Sequence, residues 1–269
     1  MISIKNLLVV ALATLATVGC ATKPTIQLLS SDEASAYKQR LDQIKKVEIF
    51  YSNDNGIVVT DGGGSGAVGL GGLLGPVGAI LAAAADAASK ISSTERAKVR
   101  GKEYSDKVRK DLPDANLSRA FAEALADKVR KTGREVKLTA LTSNRTASDL
   151  STYKELSSVE EDVAAILIWN NPGFSAESST SAYQSSAVID FFCQDSKRVK
   201  LLDGQIRNAT DTSIRSFSGL LENIGESFAK LSTNYMLGHE RIVKACLDVP
   251  TEKKPTDTLV NIYKGIQKQ

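Results

Sequence analysis

A glycine-rich, uncharged segment limits what this chain can fold into. Asp61–Ser89 reads DGGGSGAVGLGGLLGPVGAILAAAADAAS; its first eighteen residues hold nine glycines, and Gly62–Ala85 carries no charge. Each glycine in a helix interior costs about 1 kcal/mol relative to alanine. Pro76 is followed by an alanine-rich run, and proline is favoured at the first position of a helix. The pattern therefore favours an apolar loop to Gly75, followed by a helix.

Small residues recur at every fourth position of this segment, a spacing that lets helices approach closely, particularly in lipid. Its fully apolar part, Ala67–Ala85, is nineteen residues long, which at ~1.5 Å per residue nearly spans a ~30 Å hydrocarbon core. Four interpretations are open: internal packing on a sheet, insertion of a glycine hairpin into a membrane, self-association, and a phosphate-binding loop. The last lacks Gly-Lys-Ser/Thr. The residues assigned to membrane contact or self-association are Gly62, Gly66, Gly69, Gly71, Gly75 and Ala79.

The first residues predict export. Lys5 supplies a positive charge, and the apolar run LLVVALATLATV that follows is too short for a spanning helix, which is typical of a secretory signal. Thr17-Val18-Gly19-Cys20 then resembles the cleavage box of bacterial lipoproteins, although that family usually has Leu where Thr17 stands. The resemblance implies cleavage before Cys20 and lipid on its thiol and new amine. Because Ala21 is not Asp, it also implies sorting to the outer membrane, as in enterobacteria. We expect the periplasmic face of that membrane, with exposure at the cell surface as the alternative. The alternative is an ordinary signal peptide with an incidental cysteine.

Length and charge bound the rest. We predict a signal peptide at 1–19, a lipidated tether and polar helix at 20–46, a single domain at 47–249 containing the insert 61–90, and a polar tail at 250–269. After cleavage the chain has 33 basic and 31 acidic residues, a net charge of +2. The basic residues are scattered among acids without an aromatic-laced patch, so nothing indicates a nucleic-acid partner.

The pattern along the domain alternates strands and helices. VEIFYS (47–52) and IVVT (57–60) flank an Asn-Gly turn signal, which predicts a hairpin or a kinked strand. Asn116 caps an amphipathic helix that Gly133 ends. The apolar run VAAILIW predicts a central strand that Asn170-Asn171-Pro172-Gly173 terminates. Further strands are predicted at 134–141 and within 181–208.

The C-terminal part predicts one long helix from about Asp211 to Leu247, followed by the polar tail with a short helix near 259–266. The helix carries an apolar stripe spaced alternately by three and four residues, and it either lies across the sheet or pairs with another subunit. Gly238 is a candidate break. The predicted class is α+β (mixed α/β): a mainly antiparallel mixed sheet with packed helices, a glycine-rich insert and a long C-terminal helix. The stripe is Ile214, Phe217, Leu221, Ile224, Phe228, Leu231 and Tyr235.

The order VEIF, FAEALADKVRKTG, REVKL, VEEDVAAILIW and SAVIDFFCQDSKRVKLLDGQ resembles a plan of envelope lipoproteins. It is similar to the N-terminal domain of the Tol system's periplasmic β-propeller protein and to the curli-secretion lipoprotein, over about Val47–Asn208. The chain departs from them by an insert before Asn116. A glycine-rich insert also occurs, at another place, in the conjugative surface-exclusion lipoprotein. More closely, the chain resembles an uncharacterised group of proteobacterial lipoproteins with a glycine-rich segment here, which implies no activity.

Candidate chemical groups are few. Cys193 and Cys246 either form a disulfide, in a compartment where disulfides persist, or are two buried thiols. His239, the single histidine, is predicted to be a core residue. The usual zinc-ligand spacings are absent from the sequence, as is Gly-x-Ser-x-Gly. We therefore predict no catalytic residue, no metal and no cofactor.

These observations predict a non-enzymatic outer-membrane lipoprotein that acts as an envelope interaction or assembly module. Its partners are the membrane, through Cys20, an unidentified envelope protein, and a second copy of itself. One alternative is a membrane-inserting oligomeric component of an export or surface-exclusion assembly that uses the glycine-rich segment. Another is a periplasmic hydrolase with an unrecognised site, which requires a cleft with a perturbed carboxylate or His239.

Overall fold

The computed structural model describes residues 28–53, 56–61, 93–142, 150–178, 180–250 and 260–263. Helices and a mixed seven-stranded sheet make up these residues, which confirms the predicted α+β class. The signal peptide and, apart from Asp61, the insert at 61–90 lie outside the described residues. The last described strand falls where a short helix near 259–266 was expected, so that expectation is wrong for 260–263.

The helices are α1 (Ser31–Asp42), α2 (Ser93–Asp111), α3 (Leu117–Arg130), α4 (Phe217–Glu222), α5 (Ile224–Met236) and α6 (His239–Leu247). The strands are β1 (Lys46–Ser52), β2 (Val58–Asp61), β3 (Glu135–Leu141), β4 (Val163–Ala176), β5 (Gln184–Gln194), β6 (Lys200–Asp211) and β7 (Val260–Tyr263). Two short 3-10 helices, Leu150–Thr152 and Lys154–Ser158, precede β4.

The strand order is β3-β1-β4-β5-β6-β7, with β2 also paired to β4. The long β4–β5–β6 meander is antiparallel. Four of the six pairings are nevertheless parallel, namely β1 with β3, β1 with β4, β2 with β4, and β6 with β7. The two longest ladders are antiparallel, as predicted, and the β1–β3 pair is parallel because α2 and α3 form a crossover that returns the chain to the edge of β1.

The two strands on either side of the Asn-Gly signal do not form a hairpin. Both run parallel to β4: β1 pairs with Val163–Ile168, and β2 pairs with Gly173–Ala176. They are two pieces of one interrupted strand, which agrees with the kinked-strand alternative. The predicted end of β4 at Asn170–Gly173 is wrong, since β4 continues to Ala176 with an unbroken register against β5.

Helix α3 follows the sequence closely. Asn116 is its N-cap, and the Asn116 Oδ1 accepts a hydrogen bond from the Arg119 N–H at 2.9 Å. Such a cap contributes about 1 kcal/mol. The helix ends at Arg130, and Gly133 adopts φ +81° before β3 begins. A non-glycine side chain rarely adopts that conformation, so Gly133 fixes the turn into β3.

Two apolar clusters lie on opposite faces of the sheet. The larger joins the helices to one face and includes Tyr104 of α2, Phe121 of α3 and Ile168 of β4. The smaller joins the 3-10 segment to the other face through Tyr153 and Trp169, whose ring centroids are 5.9 Å apart. Period-two alternation along β4 assigns its even-numbered residues to the helix-covered face.

The predicted single C-terminal helix is divided into α4, α5 and α6. Strand β6 extends to Asp211, and Ser216 caps α4 through a 3.0 Å bond from the Gly219 N–H to its Oγ. Asn223 (φ −107°, ψ 44°) separates α4 from α5. The apolar stripe lies across the chain's own sheet: Leu231 and Tyr235 are fully buried, and the other stripe residues are partly buried against the same cluster.

Candidate functional site

A break in the row of strands beside β4 opens a concave surface on the described part of the chain. Between the end of β1 and the start of β2, β4 has no strand beside it on that edge among the described pairings. A cleft of about 570 Å³ opens there, bounded by the break, by α2 and by the start of α3. Cavities of ~300–1,000 Å³ are the usual size of small-molecule sites.

Helix α2 can lie directly on the break because Gly101 has no side chain. A Cβ at Gly101 would overlap the Ile57 carbonyl oxygen. One turn along α2, the Ser105 hydroxyl accepts a hydrogen bond from the Ile57 N–H at 3.2 Å, so a side chain replaces the missing strand partner there. These two contacts fix the back wall of the cleft.

The cleft wall combines three kinds of side chain. Cationic groups come from α2, and amides come from Asn53 and Asn171 at the broken strand edge. Apolar groups come from the start of β2, from α3 and from Phe228 of α5. No carboxylate, histidine or cysteine is among the described lining residues. The cations are Lys98, Lys102 and Arg109, and the apolar residues include Ile57, Val58, Val108 and Leu117.

Asn170 precedes the lining residue Asn171 in β4 and is not itself among the residues that line the cleft. Its side chain is 4 % exposed, and neither Nδ2 nor Oδ1 has a hydrogen-bond partner. Asn170 pairs with Ile189 of β5, and its position in β4 assigns it to the helix-covered face. On the other side of β4, Tyr51 pairs with Ile168, so the same register two residues further on places Asn53 beside Asn170. Buried polar groups are nearly always hydrogen-bonded, so an amide with both ends unpaired requires an explanation.

The field around the cleft is positive. Helix α2 carries seven basic and four acidic residues. Asp106 receives hydrogen bonds from Lys102, at 2.7 Å, and from Arg109. These bonds, that from Lys102 first, lower the pKa of Asp106 below its ordinary value. Asp106 therefore stays charged and offsets part of the cationic charge, and Lys98 is exposed to solvent at the cleft.

A second concavity of about 560 Å³ adjoins the first along the α2–α3 connection. It shares Ala115, Leu117 and Phe228 with the cleft, and it is otherwise lined by Pro113–Asn116 and by residues of α3 and α5. The Phe228 ring stands at the junction. The two concavities together form an extended groove with apolar side chains at its centre.

The sequence-predicted lipidation and membrane residues are not part of this site. Cys20 and the segment holding Gly62, Gly66, Gly69, Gly71, Gly75 and Ala79 lie outside the described residues. The cleft itself was not anticipated. The only hint in the sequence is Asn170-Asn171-Pro172, which interrupts an apolar strand and was interpreted as its end.

Cys193 and Cys246 are joined in a disulfide, with their Cα atoms 5.8 Å apart. Both residues are fully buried, and the bridge ties the middle of the sheet, at β5, to the last helix, α6. A Cα separation in this range is typical of a disulfide. The bridge closes a 53-residue separation and has a structural position, away from the cleft lining.

His239 starts α6 and is 4 % exposed. Its ring packs on Phe121 with centroids 4.3 Å apart, and Nε2 has no hydrogen-bond partner in the described structure. Burial lowers the pKa of His239, opposed by hydrogen bonding to the backbone of Phe121 and Met236. This is a packed, neutral core histidine, and it does not line the cleft.

Two kinds of site are absent from the described ranges. These ranges contain no group of three or more His, Cys, Asp or Glu side chains placed to hold a metal ion. Within the same ranges, no helix has the length and apolar character needed to cross a bilayer.

Comparisons with known proteins assign neither a family nor a function to this chain. No family model matches the chain, and no curated protein matches it. A crystal structure of a Xanthomonas campestris protein from the family of unknown function DUF330 aligns over 84 % of this chain and 89 % of its own, with 8 % identity and a TM-score of 0.32. A TM-score this low does not establish a common fold, so the chain is assigned to no family.

Proposed function

We propose that this protein is a lipid-anchored binding module of the bacterial envelope, held at the periplasmic face of the outer membrane through Cys20. The observation that carries the proposal is the sequence Thr17-Val18-Gly19-Cys20 directly behind a signal-like apolar run. Multiple acyl chains on one residue hold a protein at a membrane far more firmly than a single chain does.

Two features of the folded chain support this location and role. A buried disulfide between Cys193 and Cys246 suits an oxidising compartment outside the cytoplasm. The cleft lining combines amides, cations and apolar groups without a described histidine, cysteine or carboxylate, a set that suits binding more than acid–base or nucleophilic chemistry. The unidentified partner is an envelope component, and no step of catalysis is assigned.

The anchor is tested by expressing the full-length chain in a Gram-negative host with labelled palmitate. We expect label in the wild-type protein and recovery in the outer-membrane fraction. Cys20→Ser should lose the label, and Cys193→Ser, which affects only the disulfide, should keep it. Label-free wild-type protein in the soluble periplasmic fraction would refute the anchor.

The membrane-inserting assembly remains the second hypothesis, because Gly62–Ala85 is uncharged and carries small residues at every fourth position. It is tested with the unlipidated Cys20→Ser chain, with and without residues 62–85. If light scattering gives oligomers, or liposomes carry the protein upward in a density gradient, only when the segment is present, the assembly hypothesis replaces the tethered module. A monomer that ignores liposomes supports the module.

A further inference from the structure

We propose that the outer edge of β3 pairs with the same edge of a second copy of this chain, antiparallel and around a two-fold axis at Leu138. The two mixed sheets then continue into each other across that axis. Three properties of the edge support this dimer: its outward backbone groups, the position of its central charge, and the match of its side chains with themselves. The dimer depends neither on the lipid anchor proposed for Cys20 nor on the glycine-rich segment.

The outer edge of β3 presents backbone groups for pairing. β3 is the last strand at its end of the sheet, so no described strand pairs with its outer side. The Glu135 N–H donates to the Lys45 carbonyl oxygen at 2.9 Å, toward β1. Because backbone groups alternate between the two sides of a strand, those of Val136, Leu138 and Ala140 point away from β1. Such an edge is a template for a strand of another chain.

The charge at the middle of the edge does not block this pairing. A lysine on an edge strand commonly keeps two sheets apart. Here the Lys137 Nζ lies 3.0 Å from the Glu48 Oε1 of the neighbouring β1, and the Thr139 hydroxyl donates to the same oxygen at 2.5 Å. Glu48 is buried, so it holds both side chains over the chain's own sheet. The outer side of β3 is therefore left without a projecting, unpaired charge at its centre.

One register uses the outward backbone groups along the whole strand. Leu138 is the middle residue of Glu135–Leu141. When Leu138 lies opposite Leu138 of the second copy, Val136 lies opposite Ala140 in both directions. Residues that face each other in this way exchange both of their backbone hydrogen bonds. The register therefore pairs all the outward-facing residues of both edges.

The side chains also match in this register. Val136 and Leu138 are half-buried against the larger apolar cluster, so pairing across the axis removes more of their surface from water. The small side chain of Ala140 leaves room for Val136 of the second copy. Lys137 lies opposite Thr139, whereas an axis one residue earlier would set Lys137 opposite itself, and like charges directly opposite destabilise a sheet. This match of the edge with itself selects a second copy over an unrelated strand.

Sedimentation equilibrium of the unlipidated Cys20→Ser chain, from about 1 to 200 µM, tests the dimer. We expect a monomer–dimer equilibrium that Leu138→Pro weakens at least ten-fold. Proline there removes an outward N–H and leaves the N–H groups that face β1, so the melting temperature of the monomer should change little. Deleting residues 62–85 should leave the dimer intact. A wild-type monomer at all concentrations, or a dimer that survives Leu138→Pro or requires residues 62–85, overturns the proposal.

Cysteine cross-linking tests the register and covers the case in which Leu138→Pro does not fold. In Leu138→Cys the two Cα atoms should lie about 5.5 Å apart, within the range of a disulfide. Ala140→Cys is the matched control, because its two copies are four residues out of register, more than about 13 Å apart. Both are made in the Cys20→Ser chain, whose remaining cysteines are bound in the buried Cys193–Cys246 bridge.

On a non-reducing gel after mild oxidation, we expect a covalent dimer from Leu138→Cys and monomer from Ala140→Cys. Random collisions would favour the opposite result, since Ala140 is the more exposed of the two positions. Equal cross-linking of the two variants, or cross-linking of Ala140→Cys alone, overturns the proposed pairing.

Discussion

Among single residues, His239 makes the stability of this protein depend on pH. Its pKa is lowered mainly by burial; Lys128 lowers it further, whereas Glu240 and hydrogen bonding to the backbone of Phe121 and Met236 raise it. The unfolded chain therefore binds a proton at His239 at a higher pH than the folded chain does. The resulting stability is present above the unfolded pKa of about 6.5 and is lost as pH falls below it.

Urea titrations test this dependence. Between about pH 7 and pH 5, we expect the free energy of unfolding to fall more in wild type than in His239→Gln. Because His239 is the single histidine, parallel curves for the two proteins would contradict this assignment.

Two glycines in consecutive helical segments should respond to alanine in opposite directions. A Cβ at Gly238 would lie 2.8 Å from Ile189 Cδ1 and 3.3 Å from Phe121 Cε2. The chain between α5 and α6 can therefore lie this close to the sheet because Gly238 has no side chain. Gly225, in the first turn of α5, has nothing within 4 Å of such a Cβ. We expect Gly238→Ala to cost about 1–3 kcal/mol by overpacking and Gly225→Ala to gain up to about 1 kcal/mol. Thermal melts of the two variants compare them directly, and a gain in both would contradict the close packing at Gly238.

At the scale of elements, the Cys193–Cys246 disulfide holds α6 to β5. The 53-residue separation is long, so the bond removes considerable freedom from the unfolded chain. We expect reduction, or replacement of both cysteines by alanine, to cost about 2–5 kcal/mol. The measurement is a denaturant titration of the Cys20→Ser chain with and without reductant. The double-alanine chain is the control, because reductant should leave its midpoint unchanged. A wild-type midpoint that also ignores reductant would mean that the bridge does not form.

The elements that the sequence predicts well are those whose signals are local in the chain. Helix α3 was predicted with both ends, because its apolar period, its Asn116 cap and its Gly133 stop are all local. The break between α5 and α6 lies at Gly238, the candidate that the sequence offered, although periodicity alone extends one helix through it. The close approach of Gly238 to Ile189 of β5 is visible only in the assembled fold. Strand β4 passes through Asn170–Pro172 because β5 supplies an unbroken ladder on the other side. The cleft could not be predicted, since Gly101, Asn171 and Phe228 come to line one surface only after the sheet and the helices are assembled.

At the scale of the whole molecule, one ion pair attaches the first described helix to the far end of the domain. Arg40 of α1 binds Asp195, and its Nη2 donates to the Val199 carbonyl oxygen at 3.1 Å. Asp195 is 2 % exposed, and its Oδ1 also accepts from the N–H groups of Lys197 and Val199, at 3.0 and 2.8 Å. The carboxylate therefore organises the β5–β6 turn and holds α1 on it.

Substitutions on the two sides of that pair should have unequal effects. Arg40→Ala removes one partner from a buried carboxylate that keeps its turn bonds, and Arg40 is itself partly exposed, so we expect a loss of about 1–3 kcal/mol. Asp195→Ala also removes the turn bonds and should cost more.

In Arg40→Ala we further expect trypsin to cleave within α1, at Lys38, faster than in wild type, while the sheet stays protected. Lys38→Gln in the Arg40→Ala background controls for the cleavage site. If both substitutions destabilise the chain equally and α1 stays protected, α1 is held by the apolar packing of Tyr37 and Leu41 on the core, and the ion pair contributes little to its attachment.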